Sequence, residues 1–410
     1  MSAIQTKQDI SRIEKKLDQD DQVKDQVDES TRYEEYDKFE DMGLSDDLLK
    51  GIFNYGFESP SQIQKVAIKQ LISGRDIISM SQSGTGKTGA FAISTLHLVD
   101  AKLNKPQVLV IVNTRELAMQ IGSVYKGLSE YMNVKIHISI GGVRPADEER
   151  VFRKGVQVVI GTPGRVFDMI TRKIFDTSKI KVLILDEADE MLTKGFLDDI
   201  RDIFHLLPVS IQVGLFSATM PVETLQITER FMQNPIKIIV KKELMTLEGI
   251  LQYYVDVGHN DNKFDVVCDL YEALNVSQSV IFCSTINNVN YLVDEMKRKD
   301  FTVSGLHGKM TSEERNEIMK NFRKGTIRFL IATDLVARGI DVQGVSVVIN
   351  FDLPNDRENY IHRIGRAGRF GRKGIAISLV TEKDAPDLKE IENFYHTQIE
   401  PLPANISSLI

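Results

Sequence analysis

The chain's patterning predicts an α/β fold: two tandem domains, each a mainly parallel sheet with helices on both faces. Short runs rich in β-branched residues alternate with helical stretches, the pattern of strands buried on both sides. This alternation occurs twice, on either side of a stretch that follows neither period. In both halves polar residues cluster directly after apolar runs, at the edge where open parallel sheets bind ligands. A length of 410 residues suits two domains of ordinary size, and a hydrophobic content of 42% is enough for two cores.

Residues 1–37 hold eleven acidic and six basic side chains and few large apolar ones, so a flexible charged arm is expected. Ile10, Ile13 and Leu17 have helical spacing within it. The first domain, 38–237, contains the runs Asp76–Met80, Gln107–Val112, Val156–Ile160, Val182–Leu185 and Val213–Phe216. Residues 238–249 break the rhythm and read as a linker. The second domain, 250–410, repeats the pattern with Val280–Phe282, Arg328–Ala332, Val345–Ile349 and Ile375–Leu379.

Several function classes are disfavoured at once. No apolar run reaches the length of a membrane span, and the N-terminus lacks the apolar core of a secretory signal. Cys268 and Cys283 are too few for a metal cluster or a disulfide framework. Cys283, in an apolar run, reads as a buried reduced thiol, which suits a reducing intracellular compartment. The net charge of −7 argues against coating nucleic acid by bulk electrostatics. It leaves room for local contacts to phosphates.

Chemistry concentrates in a few segments. Ser81-Gln82-Ser83-Gly84-Thr85-Gly86-Lys87-Thr88 fits a phosphate loop between a strand and a helix, if Ser81 is accepted for its first glycine. Gly84 and Gly86 let backbone N–H groups turn toward phosphate oxygens. Lys87 supplies charge, Thr88 a hydroxyl for Mg²⁺, and the helix N-terminus a partial positive charge. Asp186 and Glu187 in Leu185-Asp186-Glu187-Ala188-Asp189 follow an apolar strand. Asp186 can hold Mg²⁺, and Glu187 can orient and deprotonate a water. A solvated acidic turn would explain that segment alone; the phosphate loop argues otherwise.

Arg363, Arg366 and Arg369 recur every third residue in His362–Arg369, so a helical turn would set them nearly on one side. Such arginines can reach a transferring phosphoryl group. A solvated basic face is the alternative, and the interleaved glycines weigh against it. Gln64 could read adenine through its amide, and Phe39 could stack on the base. Asn113–Leu117, Gly141-Gly142 and Thr162–Arg165 offer N–H groups, hydroxyls and single arginines, which suits a nucleic-acid backbone with little sequence preference. Ordinary turns would explain each of these loops taken singly.

Taken in order, these segments, with Ser217-Ala218-Thr219 and Ala337-Arg338-Gly339-Ile340-Asp341, resemble the DEAD-box RNA helicases of superfamily 2 across residues 38–410. The stretch Tyr360–Arg366 with Arg369–Gly374 is similar to the subgroup that serves translation initiation. The resemblance implies two RecA-like domains and an RNA-dependent ATPase that pries short duplexes apart. It implies ATP and Mg²⁺ as cofactors, and RNA and translation-initiation scaffold proteins as partners. It also implies a cytoplasmic monomer with no membrane attachment. An RNA clamp of exon-junction or ribosome-assembly complexes, nuclear in place, is the alternative.

By the same resemblance, Phe39 and Gln64 would bind adenine. Ser83, Gly84, Thr85, Gly86, Lys87 and Thr88 would bind the phosphates, and Asp341 the ribose. Thr88 and Asp186 would hold Mg²⁺, partly through water, and Glu187 would activate water. Arg366 and Arg369 would be arginine fingers. Thr114, Arg115, Gly142, Thr162, Arg165, Arg315 and Thr333 would lie along RNA. Asp189, Ser217, Thr219, His362 and Arg363 would couple nucleotide to RNA. Three positions depart from the family pattern. Ser81 stands for the usual Ala, expected to be harmless on the surface of a turn. Asn113 stands for Pro before Thr114, and Ser312 for Gln three residues before Arg315.

Overall fold

The structure is a computed structural model that describes residues 33–81, 84–192, 196–219, 231–239, 250–274, 278–334, 345–354, 356–367, 374–395 and 397–403. Of the residues singled out above, Ser83, Asp341 and Arg369, most of the arm and most of the linker fall outside these. The first half forms strands β1 (Ile77–Met80), β2 (Val108–Val112), β3 (Ile136–Ser139), β4 (Val158–Gly161), β5 (Val182–Asp186), β6 (Gln212–Ser217) and β7 (Ile236–Ile239). They make one sheet of order β3-β4-β2-β5-β6-β1-β7. The second half forms β8 (Ile250–Gly258), β9 (Gln278–Phe282), β10 (Val303–Leu306), β11 (Phe329–Ala332), β12 (Val345–Asn350), β13 (Gly374–Thr381) and β14 (Glu400–Pro401). Their order is β10-β11-β9-β12-β13-β8-β14.

Every pairing in both sheets is parallel. Counted from its own first strand, the second order is the first repeated strand for strand, as expected of two tandem RecA-like domains. The sheets belong to one compact unit that begins at Asp37. β7 runs two residues past the expected domain boundary at 237, because Ile238 and Ile239 pair with Ser79 and Met80. The edge strand β3 escaped the sequence reading because Ile136, His137 and Ile138 are only partly buried and make no continuous apolar run.

Burial on both faces explains the apolar runs. In the second sheet, Ile281, Phe329, Ile331, Val347 and Ile349 pack with Val267, Leu270, Leu292 and Met296 from the helices Lys263–Ala273 and Ile286–Arg298. Their strand neighbours Val280, Phe282, Leu330, Ala332 and Val348 point the other way, against Met319 and Phe322 of the helix Ser312–Arg323. Period-two alternation thus feeds two cores from one strand. Cys283 lies in the first of them, fully buried, and burial pushes its thiol pKa up. Among the described residues no helix is long and apolar enough to cross a membrane.

One close backbone approach sets the loop after β4. A Cβ at Gly161 would lie 2.4 Å from the Ser139 carbonyl oxygen and 2.7 Å from Val166 Cγ2. Neither neighbour is the mobile end of a long side chain. Gly161→Ala is therefore expected to destabilise the protein by about 1–3 kcal/mol through overpacking, read as a lowered Tm in scanning calorimetry. An unchanged Tm would show that β3 and β4 can separate freely at this point.

Candidate active site

The phosphate loop leaves the end of β1. Gly84 and Gly86 have φ of 85° and 101°, the left-handed region that disfavours side chains. A Cβ at Gly86 would lie 2.6 Å from Ser61 Oγ and 2.8 Å from Gln64 Nε2. Gln64 ties the loop to the helix Gln62–Ile72. Its Oε1 accepts from the Ser61 N–H (2.9 Å) in a capping box, and its Nε2 donates to the Gly86 carbonyl (3.1 Å). Both ends of the amide expected to read adenine are thus engaged in holding the loop.

Phe39 is fully buried and packs edge-on against Phe53, so its ring has no open face for a base. The ring near the loop is Phe57. A Cβ at Gly89 would come within 3.1 Å of Phe57 Cε2 and 2.5 Å of Gln64 Nε2. Ser81 is likewise not on a turn surface. It is fully buried, with its N–H donating to the Ser217 carbonyl (3.1 Å) and its hydroxyl accepting from Thr85 Oγ1 (3.0 Å). Its carbonyl accepts from Lys87 Nζ. Lys87 and Thr88 open the helix Lys87–Leu98.

Sheet order brings the acids to this loop, because β6 lies beside β1 and β5 beside β6. Asp186 ends β5, is buried, and accepts from the Glu187 N–H (3.1 Å). Burial pushes the Asp186 pKa up to about 7, with help from Glu187 and against the pull of Lys87. Glu187 holds a left-handed φ of 54°, and its buried Oε2 has no hydrogen-bond partner among the described residues. Asp189 accepts from Thr219 Oγ1. Burial would raise Asp189, but His362 and the hydroxyls of Ser217 and Thr219 outweigh it and hold the carboxyl well below its usual range.

His362 comes from the other sheet's helix, Arg357–Ile364. Its Nε2 lies 3.3 Å from Asp189 Oδ2 and its Nδ1 3.9 Å from Glu187 Oε2. An ionised carboxylate only accepts, so Nε2 carries the proton toward Asp189. Glu187, Asp189 and His362 offer ligand atoms all within 4.8 Å of one another.

Arg363 and Arg366 do not share one helical face. The helix ends at Ile364, with Gly365 as its cap, so the three-residue spacing loses its meaning there. Arg363 is buried and turns into its own domain. It grips Asp334 through Nε (2.5 Å) and Nη2 (2.7 Å), and its Nη1 donates to the Asp352 carbonyl (2.6 Å) and Asn350 Oδ1 (3.3 Å). Arg366 is buried, with Nε donating to the His362 carbonyl (2.9 Å). Thr333, next to Asp334 after β11, donates its N–H to the Leu306 carbonyl (3.3 Å).

A second edge carries the loops expected along a nucleic-acid backbone. Thr114 caps the helix Arg115–Leu128 by accepting from the Leu117 N–H (3.3 Å). Arg115 donates to the Gly141 carbonyl, and a Cβ at Gly142 would sit 2.9 Å from Arg115 Nη1. Thr162 stands at the N-cap position of the helix Pro163–Thr171 without a capping bond from its hydroxyl, and Arg165 lies in the first turn. From the other domain Arg315 reaches Glu116 Oε1 at 3.2 Å, beside Arg115, whose pKa is lowered by burial and by Arg315. Apart from Phe39 and Thr333, the predicted residues that are described therefore fall into two groups. One is gathered at the phosphate loop and the other along this edge, and Arg363 stands behind the first as a brace.

The sequence carries the same assignment. The DEAD/DEAH box helicase family profile matches residues 61–228, and the helicase conserved C-terminal domain profile matches 262–371. The chain belongs to the DEAD/DEAH box helicases. Among its relatives is "ATP-dependent RNA helicase eIF4A" of Yarrowia lipolytica, 56% identical over 93% of this chain and 97% of that one. "Eukaryotic initiation factor 4A" of Drosophila melanogaster is 54% identical over 93% and 95%. Among solved structures, S. cerevisiae Dbp5 bound to RNA and ADP BeF3 superposes with a TM-score of 0.85, at 35% identity over 89% of this chain and 95% of that one.

In this DEAD-box helicase, sequence reasoning passed over Glu148 and Gln252, and gave no role of their own to Glu116 and Asp334, which it met only inside longer segments. These residues hold functional side chains from behind. Nothing in their local spacing marks them, since their partners are distant in sequence. Of the departures, Asn113 has a buried Oδ1 with no partner among the described residues. Ser312 opens the helix Ser312–Arg323 behind a Thr311–Glu314 capping box.

The Asp186 shift has a sign that can be tested. A carboxyl whose folded pKa is raised from 3.8 to about 7 adds stability that is complete below 3.8 and is lost as pH rises through 7. Wild-type protein without nucleotide should therefore lose Tm between roughly pH 5 and 7. Asp186→Asn should remove most of that slope, and parallel pH profiles of the two proteins would refute the shift.

Proposed function

We propose that this chain is an ATP-dependent RNA helicase of translation initiation, in which RNA-stimulated ATP hydrolysis drives local opening of short duplexes. The observation that carries the reading is the meeting of His362 from the second sheet with Asp189 and Glu187 at the phosphate-loop edge of the first. It supports an active site divided between two domains and complete only when they face each other.

The residues present suit ATP and Mg²⁺. The glycine turn leaves room where a Cβ at Gly86 would not fit, and Asp186 with Thr88 supplies oxygen donors. Glu187 Oε2, buried without a hydrogen-bond partner among the described residues, suits a base that takes a proton from an attacking water. Bound Mg²⁺ would neutralise charge on the phosphates. Lys87 would hold the phosphates, and Gln64 and Phe57 would line the base side. Arg366, with Arg369, would face developing phosphate charge on closure. Asp189, Ser217, Thr219 and His362 would transmit the nucleotide state to the facing domains, with Arg363 holding His362 in place.

Contacts from Thr114, Arg115, Gly142, Thr162, Arg165, Arg315 and Thr333 would follow the RNA backbone with little sequence preference. Asp341 and Ser83 keep their places on the strength of the family pattern. The initiation-factor names of the relatives support the pathway, and the reading extends to scaffold proteins of that pathway as partners of a cytoplasmic monomer.

Glu187→Gln should retain ATP and RNA binding while kcat falls by about 10²–10⁴-fold, the usual contribution of a general base. Turnover near the wild-type rate would remove Glu187 from that role. In wild-type protein, single-stranded RNA should raise the ATPase rate, and ATP should release one strand of a short labelled duplex. ATP-dependent retention of RNA without strand release would favour a clamp.

A further inference from the structure

The two RNA-facing loops of the first domain are held by a side chain that belongs to neither. Glu148 lies on the helix Pro145–Arg153 and is fully buried. Its Oε1 accepts from Arg165 Nε and Nη2, both at 3.2 Å, and its Oε2 accepts from Ser139 Oγ at 2.9 Å. His137 Nε2 stands 3.6 Å from Oε2. Arg165 in turn donates through Nη2 to the Val143 carbonyl (2.6 Å) and through Nη1 to Asp168 Oδ2 (3.3 Å). These bonds engage every nitrogen of the guanidinium. Arg165 therefore ties the Thr162–Arg165 loop to the loop carrying Gly141 and Gly142, and the anchor of the tie is Glu148.

A carboxylate is costly to bury without partners, and this one accepts hydrogen bonds from Ser139 and Arg165, with His137 standing beside it. His137 and Ser139 come from β3, and Arg165 follows β4. The geometry points to Glu148 as the positioning residue of the first-domain RNA track, acting through Arg165. It fixes the spacing between the Gly142 backbone and the Thr162 hydroxyl, the groups that remain to meet successive phosphates. Arg165 is then a brace first and a phosphate contact second. This rests on the reading of these loops as an RNA track.

Glu148→Gln keeps the shape and removes the charge. With poly(U) as probe, it should raise the RNA KM of the ATPase about tenfold, the loss of one hydrogen bond to a charged group. The kcat at saturating RNA and the ATP affinity should be unchanged, a split that general unfolding would not produce. Arg165→Gln should raise the RNA KM at least as far, and the double variant, which leaves neither charge buried alone, should be no weaker than Arg165→Gln. Glu148→Asp should recover part of the affinity. Tighter RNA binding by Glu148→Gln would mean that Glu148 competes with phosphate for Arg165, and would overturn the inference. So would additive losses in the double variant, or an unchanged RNA KM in both single variants. A wild-type protein with no response to poly(U) would instead count against the helicase reading.

Discussion

The hydrogen bond between His362 and Asp189 is the constraint on which the site depends. It joins the helix Arg357–Ile364 of one sheet to the segment after β5 of the other, and both partners are almost entirely buried. Buried charge is tolerated only where its partners are complete. Asp189 has its partners in His362, Ser217 and Thr219, which come from two segments distant in sequence. Separating the domains would leave this carboxylate with the hydroxyls alone. The facing of the two sheets and the electrostatics of the acidic motif are therefore one arrangement seen from two sides.

What presents His362 is a second set of contacts inside its own domain. Arg363 grips Asp334 with two nitrogens and reaches the Asp352 carbonyl. Tyr360 donates to Gln252 Oε1 at 2.8 Å, and Gln252 donates to Thr397 Oγ1 at 3.0 Å. The helix is thus fixed to β8 on one side and to the ends of β11 and β12 on the other. The first domain does the same for its loops through Gln64 and through Glu148. In both domains the residues with chemistry to perform are held by buried polar partners. Buried hydrogen-bond networks of this kind favour one arrangement over several.

Much of this was legible in the sequence. The phosphate loop, the acidic pair after β5 and the run from His362 onward are local patterns, and their chemistry follows from residue type and spacing. The two-domain α/β fold was legible because strands covered on both faces leave continuous apolar runs. The errors share one cause. Phe39 was given an open face and Ser81 a surface position because neighbours in sequence do not reveal burial. The arginine spacing suggested one helical face because nothing local announced that the helix would stop at Ile364. Edge strands such as β3 were missed because half-buried strands lack the apolar signal.

By itself the sequence determined the parts: a nucleotide loop, its acids, a basic segment and backbone-reading turns on a repeated parallel sheet. These are short-range properties, set by glycine conformations, side-chain chemistry and the period of burial. Only the tertiary structure decided which parts meet. It set His362 against Asp189, turned Arg363 inward, engaged the Gln64 amide and placed Glu148 behind Arg165. Such contacts join residues tens to hundreds of positions apart, and they follow from sheet order and from the cost of burying a charge without partners.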